Sequence, residues 1–195
     1  MRIVVLGIGN PLVADDGVGI RVVARLRASL RDQRVGLVES QRGGLELLDH
    51  LEGWDRACIV DAAVTGTHPP GEVFRVTMQS PYRPVGFRSL HTLGLDAVLA
   101  LGSIAGTTLP ESVTMYAVEA ADIESFGKPC TERVEAAIPV VTSRILSDLL
   151  ESLPDCDIIH RERDGGDPWP PPGWPAEVAR GPRSVTRNTI RGSTP

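Results

Sequence analysis

Cysteine is scarce. The 195-residue chain has three, Cys58, Cys130 and Cys156. They are odd in number and form no C-x-x-C pair, which argues against a disulfide framework and a structural zinc site. Cys58 lies in a strand-like apolar run and reads as a small core residue. Lysine is scarcer still: Lys128 is alone among 20 basic residues, and nothing physical in the chain accounts for that bias. Positive charge is not in excess either. The net charge of -5 argues against broad nucleic-acid binding. No apolar run approaches the roughly 20 residues of a membrane span. Ile3-Val4-Val5-Leu6, after Met1-Arg2, is too short for a secretory signal and breaks into a polar loop. The expected compartment is the cytoplasm.

What is present is ordinary for a soluble globular protein: 42% hydrophobic and 23% charged residues. The length suits one domain with a sizeable core and a tail. The composition changes after Leu153. Residues 154–195 hold half of all the prolines, including Pro170-Pro171-Pro172, and show no helical or strand period. The expected organisation is therefore a folded domain over 1–153 and a Pro-rich, disordered tail over 154–195. Trp169 and Trp174 are unusual in such a tail and could anchor on a partner, although a non-functional extension is the plainer reading.

The domain is organised around Gly7-Ile8-Gly9-Asn10-Pro11-Leu12-Val13-Ala14-Asp15-Asp16-Gly17-Val18-Gly19. It follows the strand-like run Ile3–Leu6 and precedes Val22, Val23, Leu26 and Leu30, which recur at helical spacing. It is a strand-to-helix turn whose glycines permit sharp bends. A dinucleotide fingerprint would need G-x-G-x-x-G. Gly7 and Gly9 fit, but the third position is Leu12, and two carboxylates stand where a pyrophosphate would sit. The pair suits a cation better, while either acid alone reads as a helix-start residue.

Strands and helices then alternate. A first helix over Gly17–Leu30 leads to a strand over Val35–Val38, the turn Glu39–Gly44, and a helix over Leu45–Leu51. Gly43-Gly44 is a tight turn whose bare backbone could receive an extended peptide. Ala57–Val60 is a third strand, ending in Asp61. An ionised acid at the end of a core strand is costly without partners, and open parallel sheets place their sites just beyond the carboxyl ends of their strands. Glu72–Thr77 alternates as an edge strand does. His91 stands at the start of a helix carrying Leu95, Val98 and Leu99. Val113–Val118 is a further strand, ending in Glu119. Thr131 is placed to cap a last helix with Val134, Ile138, Val141, Ile145 and Leu149 on one face, and Pro139 inside it. His50, His68 and His160 lack partners in the pattern.

This order implies an α/β fold, a three-layer α/β/α sandwich with a largely parallel twisted sheet and one edge-strand excursion. Right-handed crossovers would bring the turns after the first three strands to a common edge. Asp16, Asp61 and His91 could then converge as an O/O/N donor set for a divalent transition metal. Asp15 and Asp16 are not a convincing aspartic-protease dyad, because adjacent helix-start side chains diverge.

These motifs resemble the hydrogenase maturation endopeptidases. The resemblance covers roughly Met1 to Leu150. It rests on Gly7–Gly19, on Gly43-Gly44 with Leu45-Glu46-Leu47-Leu48, on Val60-Asp61-Ala62 and on His91-Thr92-Leu93-Gly94-Leu95. It implies a cytoplasmic protease that removes the C-terminal extension of a nickel–iron hydrogenase large-subunit precursor after nickel insertion. It implies that Asp16, Asp61 and His91 hold the metal, with any catalytic role exerted through it. The first acid is Glu in some members and Asp in others, so Asp16 lies within the pattern. The nickel would be supplied by the substrate, and other divalent metals could occupy the site. Asp15, Asn10, Gly43 and Gly44 are candidates for orienting those ligands or touching substrate. The expected partner is the large-subunit precursor, with neither nucleic acid nor membrane. Two alternatives remain at this stage: a non-catalytic metal-binding maturation scaffold and a doubly wound nucleotide-binding enzyme.

Overall fold

The computed structural model describes residues 1–82 and 94–158. Five strands form one sheet in the order β2-β1-β3-β5-β4. They are β1 (Ile3–Ile8), β2 (Val35–Ser40), β3 (Arg56–Ala63), β4 (Val73–Gln79) and β5 (Ser112–Glu119). β1, β2, β3 and β5 run parallel. β4 pairs antiparallel with β5 at the sheet's edge, as its alternating sequence implies. Four α-helices cover the faces: α1 (Val18–Ser29), α2 (Leu47–Leu51), α3 (Leu95–Ile104) and α4 (Glu132–Ser152). Among the described residues, no helix is long and apolar enough to cross a membrane.

β1 is buried along its whole length, because it lies between two strands and under helices on both faces. Its alternate residues feed two cores. Ile3 and Val5 join Val22, Val23 and Leu26 of α1 and Val141, Ile145 and Leu149 of α4. Val4, Leu6 and Ile8 join Leu47 and Leu51 of α2 and Val98 and Leu99 of α3. Each face is the period-two consequence of the strand pleat. Fully burying one such aliphatic side chain stabilises the fold by roughly 1.5–3 kcal/mol. Cys58 is buried, as expected, and all three cysteines are free thiols. Burial pushes the Cys130 and Cys156 thiols up to about 11.

Several elements differ in detail from expectation. The helix expected over Leu45–Leu51 opens as a 3-10 turn, Gly44–Glu46, before α2. β3 continues beyond Val60 to Ala63, so Asp61 lies inside the strand rather than after it. Thr131 occupies the N-cap position of α4, but its side chain makes no cap bond; the hydroxyl donates to Asp15 instead, at 3.0 Å. His68 does have partners: Nδ1 lies 3.2 Å from a Glu72 oxygen, and the ring meets Phe74 edge-on. α4 runs through Pro139 without ending. The edge strand is tied to α4 by Arg75, which donates to Asp148 at 2.9 Å, and β5 beside it by the Tyr116 hydroxyl, which donates to the same carboxylate at 2.8 Å.

The stretch expected as a tail over 154–195 begins with five described residues that are held to the domain. Ile158 bridges to Leu30, and Cys156 and Ile158 lie against the core. The Asp32 carboxylate takes Arg34 Nη2 at 2.6 Å and the Asp157 N–H at 3.2 Å. Arg34 also reaches Asp155 at 3.1 Å. Residues 159–195 lie outside the described residues.

What positions the strand ends is the start of α1. A Cβ on Gly19 would fall 2.3 Å from the Ile8 carbonyl oxygen and 2.4 Å from that of Val60. The helix therefore begins in backbone contact with β1 and β3 together. The turn before it, Ala14–Gly17, is fastened by Asp15, which is fully buried. The Asp15 carboxylate accepts the N–H groups of Ala121 and Asp122 at 2.9 Å and of Thr131 at 2.6 Å, besides the Thr131 hydroxyl. Its role as a mere helix-start acid is thus excluded: it joins the loop after β1 to the loop between β5 and α4.

Three outcomes follow from these contacts. Gly19→Ala should lower stability by about 3 kcal/mol, because the methyl group meets backbone that cannot give way, seen as an earlier urea midpoint. Asp15→Ala should cost about 3 kcal/mol in the same measurement, since three N–H groups lose a charged acceptor. Arg34, by its side-chain hydrogen bond, holds the Asp32 carboxyl well below its ordinary value of 3.8. That contribution is fully present above pH 3.8 and is lost as pH falls through the lowered folded value. Asp32→Asn should therefore flatten the acid side of the stability–pH curve.

Candidate functional site

The strand order reverses direction between β1 and β3: the chain leaves β1 for β2 on one side and returns to β3 on the other. In open parallel sheets the crevice beyond the carboxyl ends at such a point is where ligands bind. Two of the three expected metal ligands lie there. Asp16 is in the turn after β1, and Asp61 is in β3 just beyond Val60, which pairs with Gly7 of β1.

The loop that carries Asp16 is built by short-range polar contacts. Gly9 has φ +135°, and a Cβ there would sit 1.8 Å from the Asp16 carbonyl oxygen, so only glycine lets the chain pass so close. The Asn10 N–H donates to Asp16 Oδ2 at 2.8 Å. The Asn10 side-chain oxygen accepts the Leu12 N–H at 3.0 Å, and its carbonyl accepts that of Val13 at 3.0 Å. Asn10 thus shapes the turn and holds one Asp16 oxygen. Asp16 itself is part-exposed, in contrast to the sealed Asp15 beside it.

Asp61 is only 1% exposed. One carboxylate oxygen accepts the Ala62 N–H at 2.9 Å. Along β3, Cys58, Val60 and Ala62 belong to the core under α1 and α4, and Ala57, Ile59 and Ala63 to the core under α2 and α3. Strand alternation assigns Asp61 to the second face, which is the side of α3. His91 lies just ahead of α3 in sequence but outside the described residues, 83–93 being undescribed. Tyr82 anchors the chain before that stretch through its hydroxyl, which donates to the Pro110 carbonyl. Gly94 caps α3 after it by accepting the Ala97 and Val98 N–H groups. Among the described residues, no group of three or more His, Cys, Asp and Glu is placed to hold a metal.

Gly43 and Gly44 lie beyond the carboxyl end of β2. Gly44 has φ +69° and nothing within 4 Å of where its Cβ would be, so its backbone faces open space. Two further buried acids escaped the sequence reading, and the first of them organises this edge. Glu119, at the end of β5, is 2% exposed and accepts the Thr65 N–H and hydroxyl and the Gly66 N–H at 2.8–3.0 Å. It pins the loop after β3. The signal was available, because Glu119 ends a core strand just as Asp61 nearly does. Asp96 is buried in the first turn of α3, where carboxylates suit the helix dipole; nothing in its sequence neighbourhood foretold burial.

Comparison with known proteins agrees with this fold. A family model described as hydrogenase maturation protease matches residues 20–148. The hydrogenase 2 maturation protease of Escherichia coli is 33% identical over 157 residues, covering 78% of this chain and 93% of that protein. The hydrogenase expression/formation protein HupD of Thiocapsa roseopersicina is 31% identical over 84% of this chain and 72% of its own length. The hydrogenase maturating endopeptidase HybD from E. coli superposes with a TM-score of 0.66 at 30% identity, covering 82% of this chain and 97% of that one. The five-stranded, mostly parallel sheet with helices on both faces is the fold of that endopeptidase, and this chain belongs to the hydrogenase maturation protease family of peptidases.

Proposed function

We propose that this chain removes the C-terminal extension of a nickel–iron hydrogenase large-subunit precursor, in the cytoplasm, once nickel has been inserted. The observation that carries the proposal is the placement of Asp16 and Asp61 at the switch point between β1 and β3. The loop around Asp16 spends its glycines and its Asn10 contacts on holding that acid at the strand ends. Asp61 is an acid inside a core strand at the same edge.

In this reading the nickel is part of the substrate. The precursor's own thiolates hold it, and Asp16, Asp61 and His91 complete its coordination. Soft sulfur from the substrate and harder oxygen and nitrogen from the protease divide the donor set sensibly. Asp16 and Asp61 thus bind and orient the precursor through its metal, and a nickel-free precursor offers them nothing to bind. Asn10 keeps Asp16 oriented, as outer partners of a metal ligand do.

The decisive assay follows the mass of the precursor's C-terminus after incubation with this protein, using nickel-loaded and nickel-free forms. The expected result is loss of a short peptide from the loaded form alone. Asp61→Asn should cut that rate by more than about 100-fold, the upper end of what loss of an outer partner costs a metal site, with an unchanged circular dichroism spectrum. Full activity in Asp61→Asn removes the ligand assignment. Equal cleavage of nickel-free precursor removes the nickel gate.

A further inference from the structure

We infer that the loops after β1 and β5 form a rigid apolar docking surface, anchored by Leu12 and Phe126, for an apolar recess on the body of the protein substrate. The inference rests on the reading just given, since it supplies the partner.

Most large side chains that folding leaves exposed are scattered and need no account. Here four of the seven among the described residues gather at one edge. Leu12, Leu45, Val64 and Phe126 are all more than half exposed. Each stands in the segment following one of the parallel strands β1, β2, β3 and β5, so all four mark the edge that carries Asp16 and Asp61. Apolar groups gathered at one edge mark an interaction site. Phe126 is the most exposed of these four, at 71%.

Leu12 and Phe126 belong together. Val13 and Phe126 form an antiparallel bridge. The Gly127 N–H donates to the Leu12 carbonyl at 2.7 Å, and the Ala14 N–H to the Ser125 carbonyl at 3.1 Å. Asp15 fastens the same two loops from below through Ala121, Asp122 and Thr131. The backbone under the two side chains is therefore already fixed, and little conformational freedom remains to be lost on binding. A preordered aromatic with an aliphatic neighbour is the usual composition of an interface anchor.

The occupant follows from position. Leu12 is in the turn that carries Asp16, with Asn10 bonded to both. A peptidase substrate that presents its metal to Asp16 comes up against the turn from which Leu12 is exposed. Phe126 projects from its loop, so it fits a recess rather than a flat strand. Asp122 and Glu124 flank it on the same loop, against one Lys128, so the matching recess carries a basic rim.

The test is binding of the nickel-loaded precursor to the full-length protein by calorimetry, which needs no turnover. Phe126→Ser should weaken Kd by about tenfold and Leu12→Asn severalfold, the range for interface anchors, with unchanged melting curves. Ile104→Ser is the control: Ile104 is 83% exposed but ends α3, at the opposite edge of the sheet, and should bind as the parent does. Equal affinity in all four proteins overturns the docking surface, as does a parent that does not bind the precursor. A parent dimer that Phe126→Ser splits, with precursor affinity unchanged, reassigns the patch to a second copy and also overturns it. Normal nickel-gated cleavage with unaltered binding in Phe126→Ser would overturn this inference alone and leave the proposed function standing. Binding lost in Phe126→Ser beside absent cleavage by the parent would do the reverse.

Discussion

The buried carboxylate of Asp15 is the interaction on which the candidate site depends. A charge taken fully out of water is tolerated only when its oxygens are satisfied by donors. Asp15 meets that condition with three backbone N–H groups and one hydroxyl from a single distant stretch, residues 121–131. Joining sequence positions more than 100 residues apart, it closes the loop after β1 onto the loop that leads into α4. The turn carrying Asp16, the cap position of α4 and the exposed Leu12–Phe126 pair all take their places from this contact.

The two adjacent acids therefore divide their work by burial. Asp15 is sealed inside the protein and serves the fold, and Asp16 stays part-exposed in the turn beyond β1. The division is enforced by close backbone approach. Gly9 runs against the Asp16 carbonyl, and Gly19 sits on the carbonyls of Ile8 and Val60. With no side chains between them, the start of α1 and the ends of β1 and β3 form one rigid unit. Glu119 repeats the device on the neighbouring loop by gathering Thr65 and Gly66. Buried acids near the strand ends thus act here as loop organisers.

Much of the architecture was legible in the residue pattern. The β-branched runs at Ile3, Val35, Ala57 and Val113 became the four parallel strands, and the alternating run at Val73 became the antiparallel edge. The stripe from Val134 to Leu149 outweighed Pro139, because burial of a continuous apolar face contributes more than one lost hydrogen bond costs. Two of the misreadings share a cause. Thr131 and Asp15 were judged from their near neighbours, and each took a partner from a distant segment. The Thr131 hydroxyl went to Asp15, and the Asp15 carboxylate to the N–H groups of Ala121, Asp122 and Thr131. Local pattern predicts local competition well, but it is blind to a donor supplied from another loop.

By itself the sequence determined the strands and helices, the glycine-lined first turn and the presence of acids at the ends of core strands, because hydrophobic period and backbone sterics act within a few residues. Through the family resemblance it also determined the class of protein. Only the tertiary structure decided which of the neighbouring acids is sealed inside and which stays part-exposed. That choice depends on where the N–H groups of Ala121, Asp122 and Thr131 arrive, and their arrival is set by the packing of α1 and α4 on one face of the sheet.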